Sequence, residues 1–141
     1  IEATNISEGR GTTRPFDVVG APFINSRILC DNLNACKLDG IYFTRAFFTP
    51  MFGKWQGEVC EGIQLNITDR RNYKPHKTAL YLLSELSKYQ EFSVRKDSLA
   101  LRYGNYNLND CANICPEVLI QNEFTNIEKY KDQIKNYLIY T

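Results

Sequence analysis

Glu61-Gly62-Ile63-Gln64-Leu65-Asn66-Ile67-Thr68-Asp69 alternates apolar and polar side chains. Successive side chains of an extended strand point to opposite faces. Ile63, Leu65 and Ile67 therefore belong to one face, and Gln64, Asn66 and Thr68 to the other. The row of amides and a hydroxyl is either solvent-facing or part of a binding surface. Upstream, Ile41-Tyr42-Phe43-Thr44-Arg45-Ala46-Phe47-Phe48 is β-branched and aromatic and reads as a second strand, released by Gly40. Phe16-Asp17-Val18-Val19 reads as a short extended segment closed by Gly20-Ala21-Pro22, and Ile1 to Asn5 as the end of a further strand.

Helical spacing separates these runs. Ile24 to Cys36 places Ile24, Ile28, Leu29 and Leu33 on one face, with Asn25 or Asn32 available as a cap. Thr78 to Tyr89 has Leu80, Leu83 and Leu86 in helical register, with Lys74-Pro75 before it to set the start. Pro116 to Tyr140 carries Phe124, Ile127, Tyr130, Ile134 and Leu138 on one stripe, and its end, Tyr137-Leu138-Ile139-Tyr140, is apolar enough to dock on the body. Glu91 to Tyr103 reads as a strand or irregular connection, and Asn107 to Cys115 as a short helix. Strands interspersed with helices predict an α/β (α+β) domain: a mixed β-sheet with about three packed helices, a single small domain, and a C-terminal helix docked on the body.

The 141 residues suit one core, and the net charge of +1 gives no electrostatic case for nucleic acid or an anionic membrane surface. No apolar run is long enough to span a bilayer. The five cysteines are Cys30, Cys36, Cys60, Cys111 and Cys115. The spacings of Cys30/Cys36 and Cys111/Cys115 fit a zinc site poorly, so structural cysteines, free or disulfide-paired, are expected, with no metal. Trp55 is the only tryptophan and His76 the only histidine. The first is expected buried or half-buried as an anchor, the second solvated.

One stretch carries chemistry. Thr4-Asn5-Ile6-Ser7-Glu8-Gly9-Arg10-Gly11-Thr12-Thr13-Arg14-Pro15-Phe16 is polar and glycine-containing, with apolar runs beyond it. Gly9 and Gly11 allow positive φ, so the backbone can turn sharply against another surface. Arg10 and Arg14 are rigid forks suited to a carboxylate or phosphate. The stretch lacks the glycine spacing and the Gly-Lys-Ser/Thr ending of a nucleotide loop. An ordinary loop whose arginines pair with surface acids is the plain alternative.

This stretch, followed by Gly20-Ala21-Pro22-Phe23, resembles the signature of the bacterial peptidoglycan exo-β-N-acetylmuramidase family, formerly a domain of unknown function. A second block agrees: Phe47-Phe48-Thr49-Pro50, Phe52, Lys54, Gly57 and Cys60 through Asp69. The tail Tyr137-Leu138-Ile139-Tyr140 is a weaker third match. The resemblance covers the family's C-terminal subdomain (residues 1–141 here), and implies a larger, Rossmann-like N-terminal half that this chain lacks. Beginning at Ile1 without an initiator methionine, the chain is expected to be a fragment, a processed chain or one piece of a larger assembly.

The resemblance implies a hydrolase that removes N-acetylmuramic acid from the non-reducing end of peptidoglycan fragments, in a cleft between two subdomains. This chain would supply one wall and be inactive alone. A secreted or periplasmic location, a peptidoglycan-derived sugar and the N-terminal half as partners, and no cofactor are implied with it. Glycoside hydrolysis normally uses two carboxyl groups. Glu8 is the only acid inside the strong motif and the candidate catalytic residue. A general acid must hold a proton, whereas nearby guanidinium groups favour the carboxylate, so orienting or charge-balancing suits Glu8 better than proton donation. Arg10, Arg14 or Arg45 can bind a lactyl carboxylate; Thr12, Thr13, Gln64 and Asn66 can bind acetamido and hydroxyl groups. Phe23 stands where the family commonly has tryptophan, and Asn66 where histidine is often found. The competing expectation is a non-catalytic glycan- or protein-binding or structural module that kept the fold.

Overall fold

The computed structural model describes residues 1–104 and 115–140. In chain order it contains β1 (Val18–Ala21), α1 (Ser26–Ala35), β2 (Ile41–Phe48), β3 (Cys60–Ile67), α2 (Pro75–Leu86), α3 (Lys96–Tyr103) and α4 (Pro116–Ile134), which ends in a 3-10 turn, Lys135–Tyr137. The three strands form one sheet in the order β1-β3-β2, so the alternating strand is the central one. Helices on a sheet are the expected α+β arrangement; the sheet, expected as mixed, pairs antiparallel throughout.

Cross-strand partners share a face. Val19 and Arg45 both pair with Ile63, and Val18 and Thr44 both pair with Gln64. One face is the core face. Val19, Ala21, Phe43 and Ile63 are buried there with Leu29, Cys30 and Leu33 of α1 and Leu82 and Leu86 of α2. α1 starts where the Asn25 side chain accepts hydrogen bonds from the amides of Arg27 and Ile28, each at 3.1 Å. α2 starts with Pro75 in its first turn, where the missing N–H has no helical partner to lose.

Three sequence expectations change. The segment before Glu8 is no strand; it makes only isolated bridges, Thr4 to Val94 and Ser7 to Gly20. Thr4 and Ser7 hydroxyls bond locally, accepting from the amides of Ile6 (3.1 Å) and Gly9 (3.2 Å), and such bonds compete with a ladder. Within Glu91–Tyr103 the extended chain stops at Arg95 and coils into α3. Adjacent Leu99 and Ala100 are both buried there, which a strand with two-residue alternation does not allow. The third concerns α4. Pro116 is buried and Leu119 and Ile120 are partly buried, against a second cluster of Ala3, Leu80, Leu83 and Leu99. Phe124, Ile127, Tyr130 and Leu138 are more than half exposed, and Tyr140 is 88% exposed, so the helix docks by its first turns and the tail does not. At a rise of 1.5 Å per residue, α4 is about 28 Å long and α2, against which it packs, about 18 Å. α4 outruns its support.

Cys30, Cys36, Cys60 and Cys115 are free thiols. The Cys30 thiol donates to the Phe43 carbonyl (3.2 Å) and that of Cys36 to the Asn32 carbonyl (3.3 Å). Burial pushes the Cys60 thiol up to about 11. Cys111 and the short helix expected over Asn107–Cys115 lie outside the described residues, apart from Cys115 itself.

Candidate functional site

The glycine-containing segment folds into a tight double turn. Gly11 has φ +81°, and a β-carbon there would lie 2.6 Å from the Phe52 carbonyl oxygen. Only glycine lets the two loops meet so closely. The Met51 amide donates to the Gly11 carbonyl at 2.8 Å. Thr12 is occupied inside the turn: its hydroxyl donates to the Gly9 carbonyl at 2.6 Å and accepts from the Arg14 amide at 3.0 Å. The Phe16 amide donates to the Glu8 carbonyl at 2.7 Å, closing the loop. Phe16 itself sits at φ +67°, with its ring 5.3 Å from the Arg10 guanidinium carbon.

Glu8 lies beneath this turn, only 7% exposed. Its carboxylate accepts from the Lys54 ammonium at 2.8 Å and faces Arg10 Nε at 3.5 Å. Arg10 also pairs with Glu2. Lys54 Nζ donates further to the carbonyls of Ile6 (2.9 Å), Ile1 and Glu2 (both 3.3 Å). Next to it, the Trp55 indole N–H donates to the Asn5 carbonyl at 2.7 Å, and its ring packs edge-on against Phe23 at 5.9 Å. Trp55 is the half-buried anchor expected. The 50–57 loop thus grips residues 1–11 through both side chain and backbone.

A cavity of about 300 Å³ opens beside Glu8, lined also by Phe16, Val19, Leu65, Tyr73 and Ala79. That is the small end of the range for ligand pockets. Its wall is mostly apolar, with Glu8 and Glu2 as the acids.

The remaining sequence candidates divide. Thr13 and Arg14 are exposed at the tip of the turn, on the same loop as Glu8. Gln64 and Asn66 are not with them. They lie on the face of β3 opposite to Leu65, which lines the Glu8 cavity; Gln64 donates to Asn66 (3.3 Å), and Asn66 donates to the Thr44 hydroxyl (2.9 Å). Arg45 is on the core face but elsewhere on it: its Nε donates to the Ser26 hydroxyl at 3.1 Å, and the guanidinium lies over the Phe47 ring at 5.4 Å. The fully buried Ser26 in turn donates to Glu61 at 3.0 Å. The structure therefore gathers Glu8, Arg10 and Thr12, with Thr13 and Arg14 above them, and separates Arg45, Gln64 and Asn66. His76, expected to be solvated, stacks on Tyr103 and faces its hydroxyl (3.1 Å) and Glu123 (3.4 Å). Sequence reasoning missed Lys54 as a site residue. Its signal is a lone ammonium among the apolar tips Met51, Phe52 and Trp55.

Comparison with known proteins bears on this loop and fold. Residues 1–140 match the family described as exo-β-N-acetylmuramidase NamZ, C-terminal. The chain is 51% identical over 86 residues to the peptidoglycan β-N-acetylmuramidase NamZ of Bacillus subtilis (strain 168), a match covering 61% of this chain and 21% of that protein. In fold it is similar to the crystal structure of a DUF1343 family protein from Bacteroides fragilis, with a TM-score of 0.63 and 18% identity, covering 97% of this chain and 38% of that one. The chain spans only about a fifth of its Bacillus relative by that match. By the match over nearly its whole length, the chain belongs to the family of C-terminal domains of NamZ-type exo-β-N-acetylmuramidases.

Proposed function

We propose that this chain is the C-terminal part of a glycoside hydrolase that removes N-acetylmuramic acid from the non-reducing end of peptidoglycan fragments. It forms one wall of a cleft completed by a Rossmann-like N-terminal half, and it is inactive alone. The observation that carries the reading is the buried Glu8–Lys54 pair under the Gly9–Arg14 turn, in a chain matching the family from residue 1 to 140.

Glu8 is bonded to the Lys54 ammonium and faces the Arg10 guanidinium. In this reading it is a positioning group that holds Arg10 and the turn, rather than the proton donor. On the same reading Arg10, exchanging its pairing with Glu2, and Arg14 take the lactyl carboxylate, with Thr13 beside them for a hydroxyl or acetamido group. Arg45, Gln64 and Asn66, on other surfaces, are assigned to more distant contacts or to the sheet itself.

The test is turnover of a para-nitrophenyl muramide by the 141-residue chain alone and by the chain joined to the N-terminal part of a longer relative. The expected result is no release from the first and release from the second. Release by the chain alone overturns its dependence on a partner. A joined protein that binds the sugar without hydrolysing it favours the alternative, a non-catalytic glycan-binding module.

A further inference from the structure

We propose that the turn between β3 and α2, residues 69–74, is a docking site for the acidic groups of a polysaccharide chain: closely spaced carboxylates or phosphates on a glycan. The inference rests on the reading above that this protein handles an acidic glycan.

Three observations carry it. The turn is rigid. The amides of Thr68 and Asp69 both donate to the Gly40 carbonyl (2.9 and 3.2 Å), and the Tyr73 amide donates to the Asp69 carbonyl (2.9 Å). Gly40, at φ +71°, is packed so tightly that a β-carbon would come within 2.7 Å of the Tyr73 nitrogen. The backbone that carries the cations therefore has little freedom left to lose on binding.

Second, the turn carries cations without ion-pair partners. Arg70, Arg71 and Lys74 are exposed, and among the described residues none of them is in an ion pair. The neighbouring acid, Asp69, is engaged within the turn, accepting from the Arg71 amide (2.9 Å) and the Asn72 side chain (2.7 Å). The whole chain has a net charge of only +1, so this is a local concentration of charge. Lys77 is left out of the site, since it lies over the Tyr81 ring at 5.9 Å and its charge acts on Glu117.

Third, the turn adjoins the Glu8 cavity, which Tyr73 and Pro75 line. A glycan whose terminal ring sits at that cavity has its following units within reach of Arg70, Arg71 and Lys74. A membrane or a nucleic acid fits less well. The turn presents no strongly exposed apolar side chain to insert in lipid. Its one aromatic ring, Tyr73, is half-buried in the cavity wall rather than open for base stacking.

The test is binding of the 141-residue chain to poly(glycerol phosphate), to polygalacturonate and to uncharged pullulan, at low and high salt. Binding to at least one polyanion, weakened by salt, is expected, with none to pullulan. Whichever polymer binds identifies phosphate or carboxylate as the group read. R70E/R71E should weaken binding about tenfold or more, whereas R27E/K37E, an equal change in net charge on and just after α1, should not. Equal binding by the two variants, salt-insensitive binding, or preference for single-stranded DNA or phosphatidylglycerol vesicles overturns the proposal. If R70E/R71E does not fold by circular dichroism, R70Q/R71Q/K74Q is read against wild type in the same way. Absence of turnover by the joined protein would remove the muramidase reading and leave the binding result standing. Equal binding by the variants would do the reverse.

Discussion

Lys54 reaches acceptors that lie 46 to 53 positions upstream: three carbonyls and the Glu8 carboxylate. Its ammonium is therefore the centre of the loop, and Glu8 is one of several groups it satisfies. Removing one member of a largely buried pair leaves the other without compensation, which costs more than the pair itself is worth. Lys54→Met should destabilise the chain by about 2–3 kcal/mol, judged by urea unfolding. Adding Glu8→Gln to it should recover part of that loss, because the uncompensated charge is gone. A double variant no more stable than Lys54→Met would show that the carbonyl contacts, rather than the ion pair, dominate. Sequence could place Glu8 and Lys54 in two motifs but could not join them, because their meeting is spatial. The same holds for Gln64 and Asn66: side-chain alternation put them together on one face, but nothing in the alternation tells which face adjoins Glu8.

At the scale of elements, β2 is an edge strand, and α1 covers part of that edge. The Asn34 side chain donates to the Phe43 carbonyl at 2.9 Å and accepts from the Phe43 amide at 3.0 Å, occupying the groups a further strand would take. Asn34→Ala should cost about 1–3 kcal/mol and increase concentration-dependent association, measured by light scattering. An unchanged unfolding midpoint would show that water replaces the amide fully. α4 is held differently. Its Glu117 accepts from the Tyr81 hydroxyl at 2.6 Å, which holds the carboxyl below its ordinary value and pushes the phenol up to about 12. A depressed carboxyl stabilises above the unfolded value of about 4.3 and loses that contribution as the pH falls through its folded value. A raised phenol stabilises below about 10 and loses its contribution as the pH rises beyond that. The difference in melting temperature between wild type and Tyr81→Phe should thus be largest across the middle of the pH range and shrink at both ends. No difference at any pH would mean that the ring, not the hydroxyl, holds the helix. β2 was legible to its limits because β-branched and aromatic residues dominate it. α1 and α2 were legible as helices from their apolar stripes, but α2 runs Pro75–Leu86, three residues earlier at each end than the stripe suggested. α3, with eight residues, is too short for its period to be told from a strand.

For the whole molecule, the core is divided between the sheet with α1 and α2, and a smaller cluster joining Ala3, α2, α3 and the start of α4. The stripe of α4 beyond that cluster looked like core in the sequence because periodicity reports amphipathicity, not the presence of a surface to meet it. Phe124→Ser, Ile127→Ser and Tyr130→Ser should each change stability by no more than about 0.5 kcal/mol, measured by thermal unfolding. A loss of more than about 2 kcal/mol from any of them would mean that the stripe is covered in solution. The Lys54 contacts also have a consequence in time. Residues 1–11 are synthesised before Met51, Lys54 and Trp55, yet the turn they form is shaped by those later residues. Until that later stretch arrives, Glu8 and Arg10 have nothing to hold them in the turn. A nascent chain halted before Met51 would have no such turn.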